Sequence, residues 1–355
     1  MICDGNIQIM AKSILDESTL EVTSDQALYP VANLQNEQLS NRWRSEDAAD
    51  QQLISDLGEF YRVSGFSLNG HNLGYGSTVQ LSLYRTVKTD LTLIDILDIG
   101  GGLLEVTFSS AHGLIAARLG AVRLYDHVTE VVVIFHVTQV NSSTVVTCTN
   151  TTTSTNFTSD PTSVSMEIAY DGTKDGVPAT YGWGLQPWGM GGWYGYATDQ
   201  KRQTFVTFWF DDVVADYMRV VVKDPQNTDG YIEAGRIMLG DSFSPRYNFS
   251  YGSGITYASQ TTVTRVRSGA MISDNRPSYR VAKFSLSYMT ENEGVEMLDM
   301  MDNPSNKSDA LVSLYPEHTG QLGQVTTILG RFMSHGDLIN NKGDWQLSVV
   351  FEEGL

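Results

Sequence analysis

The chain is poor in the residues that announce chemistry. It has two cysteines in 355 residues, Cys3 and Cys148, too few for a secreted disulfide framework, and both read as free thiols. Basic residues number 23 against 41 acidic ones, a net charge of −18. Phosphate backbones and anionic lipids are gripped by clustered Lys and Arg, and no such cluster is visible. Specific nucleic-acid binding and attraction to anionic lipid are therefore not expected. Long apolar runs are also missing. The longest, Val131–Phe135 continued across His136 to Val137, suits a buried strand and is far too short for a bilayer span, so no membrane insertion is expected. The first ten residues lack a basic stretch leading into a long apolar one, which predicts synthesis in a cytoplasm without Sec-type export.

Catalytic signatures are equally scarce. The sequence contains no G-x-S-x-G, H-E-x-x-H, C-x-x-C or G-x-x-x-x-G-K-[ST]. Gly74-Tyr75-Gly76 and Gly189-Met190-Gly191 lack the third glycine and following helix of a dinucleotide site. The six histidines are scattered, and only His127 and His136 could meet across a hairpin. Asp211-Asp212 and Glu352-Glu353 are adjacent, which on a strand sends the two side chains to opposite faces, so neither is a glycosidase pair. The run 171–176 could offer oxygens to Ca²⁺ but departs from the EF-hand loop and reads as a turn. No cofactor, no metal and no enzymatic activity are expected.

What is present favours strands. Hydrophobic residues make up 41% and charged residues only 18%, with 32 glycines, enough apolar content for a core. Phe60–Leu68 and Val79–Tyr84 alternate, Phe205–Phe210 and Tyr217–Val222 are aromatic and β-branched, and turns such as Asn69-Gly70 and Asp229-Gly230 punctuate them. A jelly roll or sandwich is expected. Residues 86–170 read as an inserted set of short strands ending in a polar tract, 141–165, in which 15 of 25 residues are Ser or Thr, expected as an exposed hairpin or loop. Near the C-terminus, Ala282, Phe284, Leu286 and Tyr288 share one face of a strand. A helix follows, with a Thr290/Glu293 capping box and an apolar side of Val295, Leu298 and Met301, ending at Asn303-Pro304. Three strands complete the chain, at 310–315, 325–333 and 345–351. The expected organisation is a mainly β chain: a jelly roll from 1–85 plus 171–245, an inserted small β-barrel at 86–170, and a second β-sandwich with one helix at 246–355.

The candidate binding surface lies at 180–196, where six glycines alternate with Trp183, Trp188, Trp193, Tyr194 and Tyr196. Aromatic faces stack on sugar rings and anchor protein interfaces. Packing under their own loop, a subunit contact and ligand binding are all open to these rings. Trp43 is expected in the core.

Several stretches resemble known families. Tyr29-Pro30-Val31-Ala32-Asn33-Leu34, Arg42-Trp43-Arg44-Ser45, Leu53–Gly58 and Val63–Leu73, with Asp216–Val222 and Tyr231–Gly240, resemble the discoidin-like (galactose-binding-like) jelly rolls of tailed-phage and prophage structural proteins. Val106–Leu114 resembles a small β-barrel module frequent in phage proteins. The closing strand–helix–strands order, ending Trp345–Glu353, is similar to the tail-tube and distal-tail family. Together they imply a structural subunit of a phage tail tip or baseplate, in the virion. Such a subunit would form a ring with copies of itself, touch other tail proteins and display the jelly roll outward. A carbohydrate-binding protein recognising host-surface glycan is the alternative, and a glycan-degrading enzyme with two opposed carboxylates is a third.

Overall fold

The computed structural model describes residues 5–100, 103–114, 120–126, 131–149, 162–177, 205–259, 261–265, 271–274, 278–302, 309–318, 321–335, 337–341 and 343–354. The chain is mainly β, with a jelly-roll β-sandwich carrying a small β-barrel, followed by a second β-unit flanked by helix.

The jelly roll is built on two long bent strands, Gln51–Asn69 and Phe205–Lys223, paired antiparallel. Val222 lies opposite Gln51 and Phe205 opposite Asn69, but the register slips between Trp209 and Val213 and again between Ala215 and Tyr217. These bulges fold the ribbon over on itself, as bulged strands do. Gly58, at φ +78°, takes the left-handed conformation within this bend. One core then draws on both halves: Leu53, Leu81 and Val220 from one, Phe66, Phe208 and Ile237 from the other. Trp43, 1% exposed, fills it as expected. Arg236 is fully buried beside it and is held by both oxygens of Asp16, at 2.7 and 2.8 Å.

Strand Thr78–Gly100 runs out of the jelly roll and into the barrel, so residue 85 falls mid-strand. Leu103–Phe108, Val145–Thr149, Val131–Val140, Gly120–Asp126 and Thr162–Asp175 follow in spatial order, and the last pairs back onto Thr78–Gly100. That return closes a six-stranded ring around Val106, Phe108, Phe135, Val146 and Cys148. Of the polar tract, Val145–Thr149 and the residues from Thr162 are strands, while 150–161 lie outside the described residues.

The second unit is a seven-stranded antiparallel sheet. Its first strand, Gln8–Met10, comes from the N-terminus and pairs with Ala310–Ser313, so the start of the chain belongs to this sheet. Ala282, Phe284 and Leu286 are buried as their alternation predicts, but Tyr288 is 65% exposed. A bulge intervenes, with Tyr288 at φ +61°, and Met289 takes the inward place. Helix Glu291–Asp302 has the predicted box: Thr290 N–H donates to Glu293 Oε2 at 2.6 Å and Glu293 N–H to Thr290 Oγ1 at 3.3 Å. Its inward face, however, is centred on Met297, with Gly294 against Leu338 and Trp345, and Val295 is half exposed. Positions 294, 297 and 301 follow the i, i+3, i+7 rule that the 295, 298, 301 reading missed. A second helix, Gln321–Thr326, absorbs the start of the strand expected from 325, which begins instead at Thr327.

Met10, Leu311 and Leu329 of the second sheet pack with Phe205 and Met238 of the jelly roll. Gly65 lets the backbone approach Trp209 there, since a Cβ would stand 2.8 Å from the ring.

Candidate functional site

Trp183, Trp188, Trp193, Tyr194 and Tyr196 lie outside the described residues. The strands on either side of that stretch, Thr162–Asp175 and Phe205–Lys223, contribute Asp175 and Phe205 to a cleft of about 260 Å³ between the jelly roll and the second unit. Phe205 is fixed there by Gln324, whose amide accepts from its N–H at 3.2 Å and donates to its carbonyl at 2.6 Å.

The described residues with chemical potential sort into those already engaged and those left free. His136 accepts from Arg219 across the junction of barrel and jelly roll, and burial, then the charge of Arg219, holds its pKa below the ordinary value. Its Nε2 is therefore not offered to a metal, and His127 lies outside the described residues. Cys148 is buried inside the barrel, its thiol pushed up to about 12 by desolvation, which makes it inert. His71 is buried with its pKa lowered to about 4 by burial, and its Nδ1 accepts from Leu73 N–H at 3.3 Å. Among the described residues no group of three His, Cys, Asp or Glu could hold a metal ion.

The open end of the jelly roll carries a constellation that the sequence reading had used only as a fold signature. In strand Trp43–Arg44 the indole points into the core and leaves Arg42 and Arg44 for the other side. Strand Glu233–Ala234 pairs with it, setting Glu233 opposite Arg44. Glu233, 5% exposed, accepts from Arg42 Nη1 and, at 2.5 Å, from Arg44 Nε. The Arg44 guanidinium stacks 4.1 Å from the Tyr29 ring centroid and 4.7 Å from that of Tyr231. Burial alone would lower the Arg44 pKa, but the bond to Glu233 and its charge prevail and raise it. Below, Asn72 ties the loops together, donating to the Tyr231 carbonyl at 2.9 Å and accepting from Glu233 N–H at 2.8 Å. The retrievable signal was the pair of alternating triplets Arg42-Trp43-Arg44 and Tyr231-Ile232-Glu233, each with one apolar residue inward and two polar ones outward.

No family model matches the chain, and no curated protein matches it. Similar solved structures include chitosan-binding module 1 from a Paenibacillus chitosanase/glucanase, at 12% identity and TM-score 0.31 over 65% of this chain and 99% of that one. Another is the family 32 carbohydrate-binding module of C. perfringens NanJ in complex with galactose, at 10% identity and TM-score 0.28 over 66% of this chain and 99% of that one. A third is the carbohydrate-binding module of AlyQ in complex with 4,5-unsaturated mannuronic acid, at 12% identity and TM-score 0.26 over 62% of this chain and 92% of that one. Superpositions of this quality leave the functional question to the residues of this chain.

Proposed function

We propose that the chain is a non-catalytic glycan-binding protein whose jelly roll offers Arg44 to the oxygens of a surface sugar. One observation carries this reading. Arg44 is fixed at Nε by Glu233 and on its faces by Tyr29 and Tyr231, its side chain remains 27% exposed, and no described residue accepts from its terminal nitrogens. A planar fork immobilised in this way loses little freedom on engaging a carboxylate or a pair of hydroxyls. A glycan array with wild-type protein and Arg44→Lys is the test. The wild type should bind a subset of glycans, and the lysine variant, which keeps the charge but not the fork, should bind them at least about tenfold more weakly while remaining folded. A wild-type protein silent on the array at high concentration sinks the reading.

A second reading, compatible with the first, is a structural subunit of a phage tail tip or baseplate that forms a homo-oligomeric ring, contacts other tail proteins and displays the jelly roll outward from the virion. The hairpin that continues strands Gly254–Ser259 and Ser278–Met289 favours it. Beyond the sheet edge its strands Thr262–Arg265 and Met271–Asp274 pair, among the described residues, only with each other. Met271 on this arm is 62% exposed, and Tyr257 on the sheet strand that leads into it is 57% exposed. A two-stranded ribbon is marginal alone, so a second copy of the chain is a fitting support. Mass photometry should find closed rings; a protein that stays monomeric both alone and in the presence of virion components refutes this reading.

A further inference from the structure

A cleft of about 580 Å³ lies at the bend of the jelly roll, between it and the second sheet. It is unlike the open end. Ile7, just before strand Gln8–Met10, and Ile9 within it enter the core of the second unit, and alternation turns Gln8 and Met10 toward the seam. Met10 is packed there. Gln8 is not matched: it is 0% exposed and lines the cleft, yet neither its amide oxygen nor its amide nitrogen has a hydrogen-bond partner. Ser244, also lining the cleft, has a buried hydroxyl with no partner. An amide buried without partners is costly, and proteins seldom leave both of its ends unmet.

The surrounding charge is unequal: four carboxylates, Asp211, Asp212, Glu293 and Glu296, line the cleft with two arginines, Arg62 and Arg246. Arg62 pairs with Asp212 at 3.1 Å and with Asp241 at 3.3 Å. Glu293 is consumed by the helix cap and by Arg246 N–H, at 2.6 Å. Glu296 makes no hydrogen bond or ion pair with a described residue, and it faces Asp241, Glu293 and Asp212 against Arg62 alone. The cleft thus offers a free carboxylate in a field of negative excess beside a free amide and a free hydroxyl.

We propose that this cleft binds a protonated amino sugar, its ammonium toward Glu296 and its hydroxyls on Gln8 and Ser244. The carboxylate excess selects a cation. The amide, which donates and accepts at once, and the serine hydroxyl select a ligand that does the same. The cleft's volume falls in the range of small-molecule sites. This site is separate from Arg44 and does not depend on the reading built there.

Calorimetry on the full chain at about pH 6 and about pH 7 tests it, the lower pH favouring the protonated amine and the higher favouring ionised Glu296, whose pKa is raised by burial and its acidic neighbours. Four probes are compared: glucosamine, N-acetylglucosamine, glucose and propylamine. Glucosamine should bind at least about tenfold more tightly than N-acetylglucosamine or glucose, which lack the charge, and than propylamine, which lacks the hydroxyls. Glu296→Gln and Gln8→Met should each weaken glucosamine by about tenfold; glucosamine heat that survives both variants and is lost only in Arg44→Lys belongs to the other site, so that the failure of one site is distinguishable from the failure of the other. Glu296 is exposed on a helix, so its variant remains informative even if Gln8→Met does not fold. No glucosamine heat, as in a cleft holding water alone, overturns the proposal. So does glucosamine binding no tighter than the controls, or unchanged by Glu296→Gln.

Discussion

At the open end of the jelly roll one carboxylate, Glu233, serves two arginines; at the seam Asp212, Asp241, Glu293 and Glu296 outnumber the two arginines, Arg62 and Arg246, that line the cleft. The first place keeps a surplus of positive charge, with its guanidinium stacked and aimed. The second keeps a surplus of negative charge, with an amide and a hydroxyl unmet. A buried polar group that has found its partners positions something, whereas one that has not leaves room for something. The two regions would therefore select ligands of opposite charge from the same molecule, and removing a charge should have opposite consequences in them.

The largest effect is expected at Glu233. Replacing it with Ala leaves Arg42 and Arg44 facing each other without a counter-charge across a nearly buried position. Because both arginines are about a third exposed, at 33% and 27%, the cost should fall at the lower end for a broken buried pair, about 3 kcal/mol, read as a lowered urea midpoint. A variant as stable as the wild type would mean that the pairing does not organise this end of the jelly roll.

An acid titration should also separate the regions. His71, beneath the open end, is buried neutral with its pKa lowered to about 4 against an ordinary 6.5. Below the ordinary value the unfolded chain takes up a proton that the fold refuses. Stability is thus complete above about pH 6.5 and falls, by up to roughly 3 kcal/mol, as the pH drops toward 4. His136 is lowered in the same sense by burial and by Arg219 and adds to the slope. His71→Asn, which can still accept from Leu73 N–H, should flatten the stability profile between those values. A profile with the wild-type slope would show that His71 is not the group being titrated.

Much of the fold was legible from alternation alone. Ala282, Phe284, Leu286, Leu347, Val349 and Phe351 are buried where period two places them, and Trp43 fills the core. Alternation failed where the backbone left the regular conformation, at Tyr288 with its positive φ. The helix face failed for another reason: Gly294 was not counted as part of it, although it lies on the buried side and faces Leu338 and Trp345. Both sites were illegible because their partners are remote in sequence. Arg44 and Glu233 are 189 residues apart, and nothing local tells that Gln8 pairs across a sheet with Ser313. The glycine- and aromatic-rich stretch 180–196 was conspicuous in the sequence, and its residues lie outside the described structure.

The smallest effect, and the one that sharpens the comparison most, is expected at Glu296. Its pKa is raised, first by burial and then by Asp241, Glu293 and Asp212, with Arg62 opposing. A carboxyl raised in the fold contributes stability when protonated, below its ordinary pKa, and loses that contribution as the pH rises through the folded value. At neutral pH its charge is therefore a burden, and Glu296→Gln should stabilise the protein where Glu233→Ala destabilises it. The side chain is exposed, so solvent screening reduces the gain to a few tenths of a kcal/mol. Two conditions should reduce it. At about 1 M salt the screening length falls to roughly 3 Å and the repulsive part is lost, leaving the part due to burial; in acid the wild-type group is itself protonated. Paired thermal melts at low salt, high salt and low pH would display the pattern. A variant that melts lower than wild type at neutral pH would show that the seam does not carry excess negative charge, and would remove the reason for a cation to bind there.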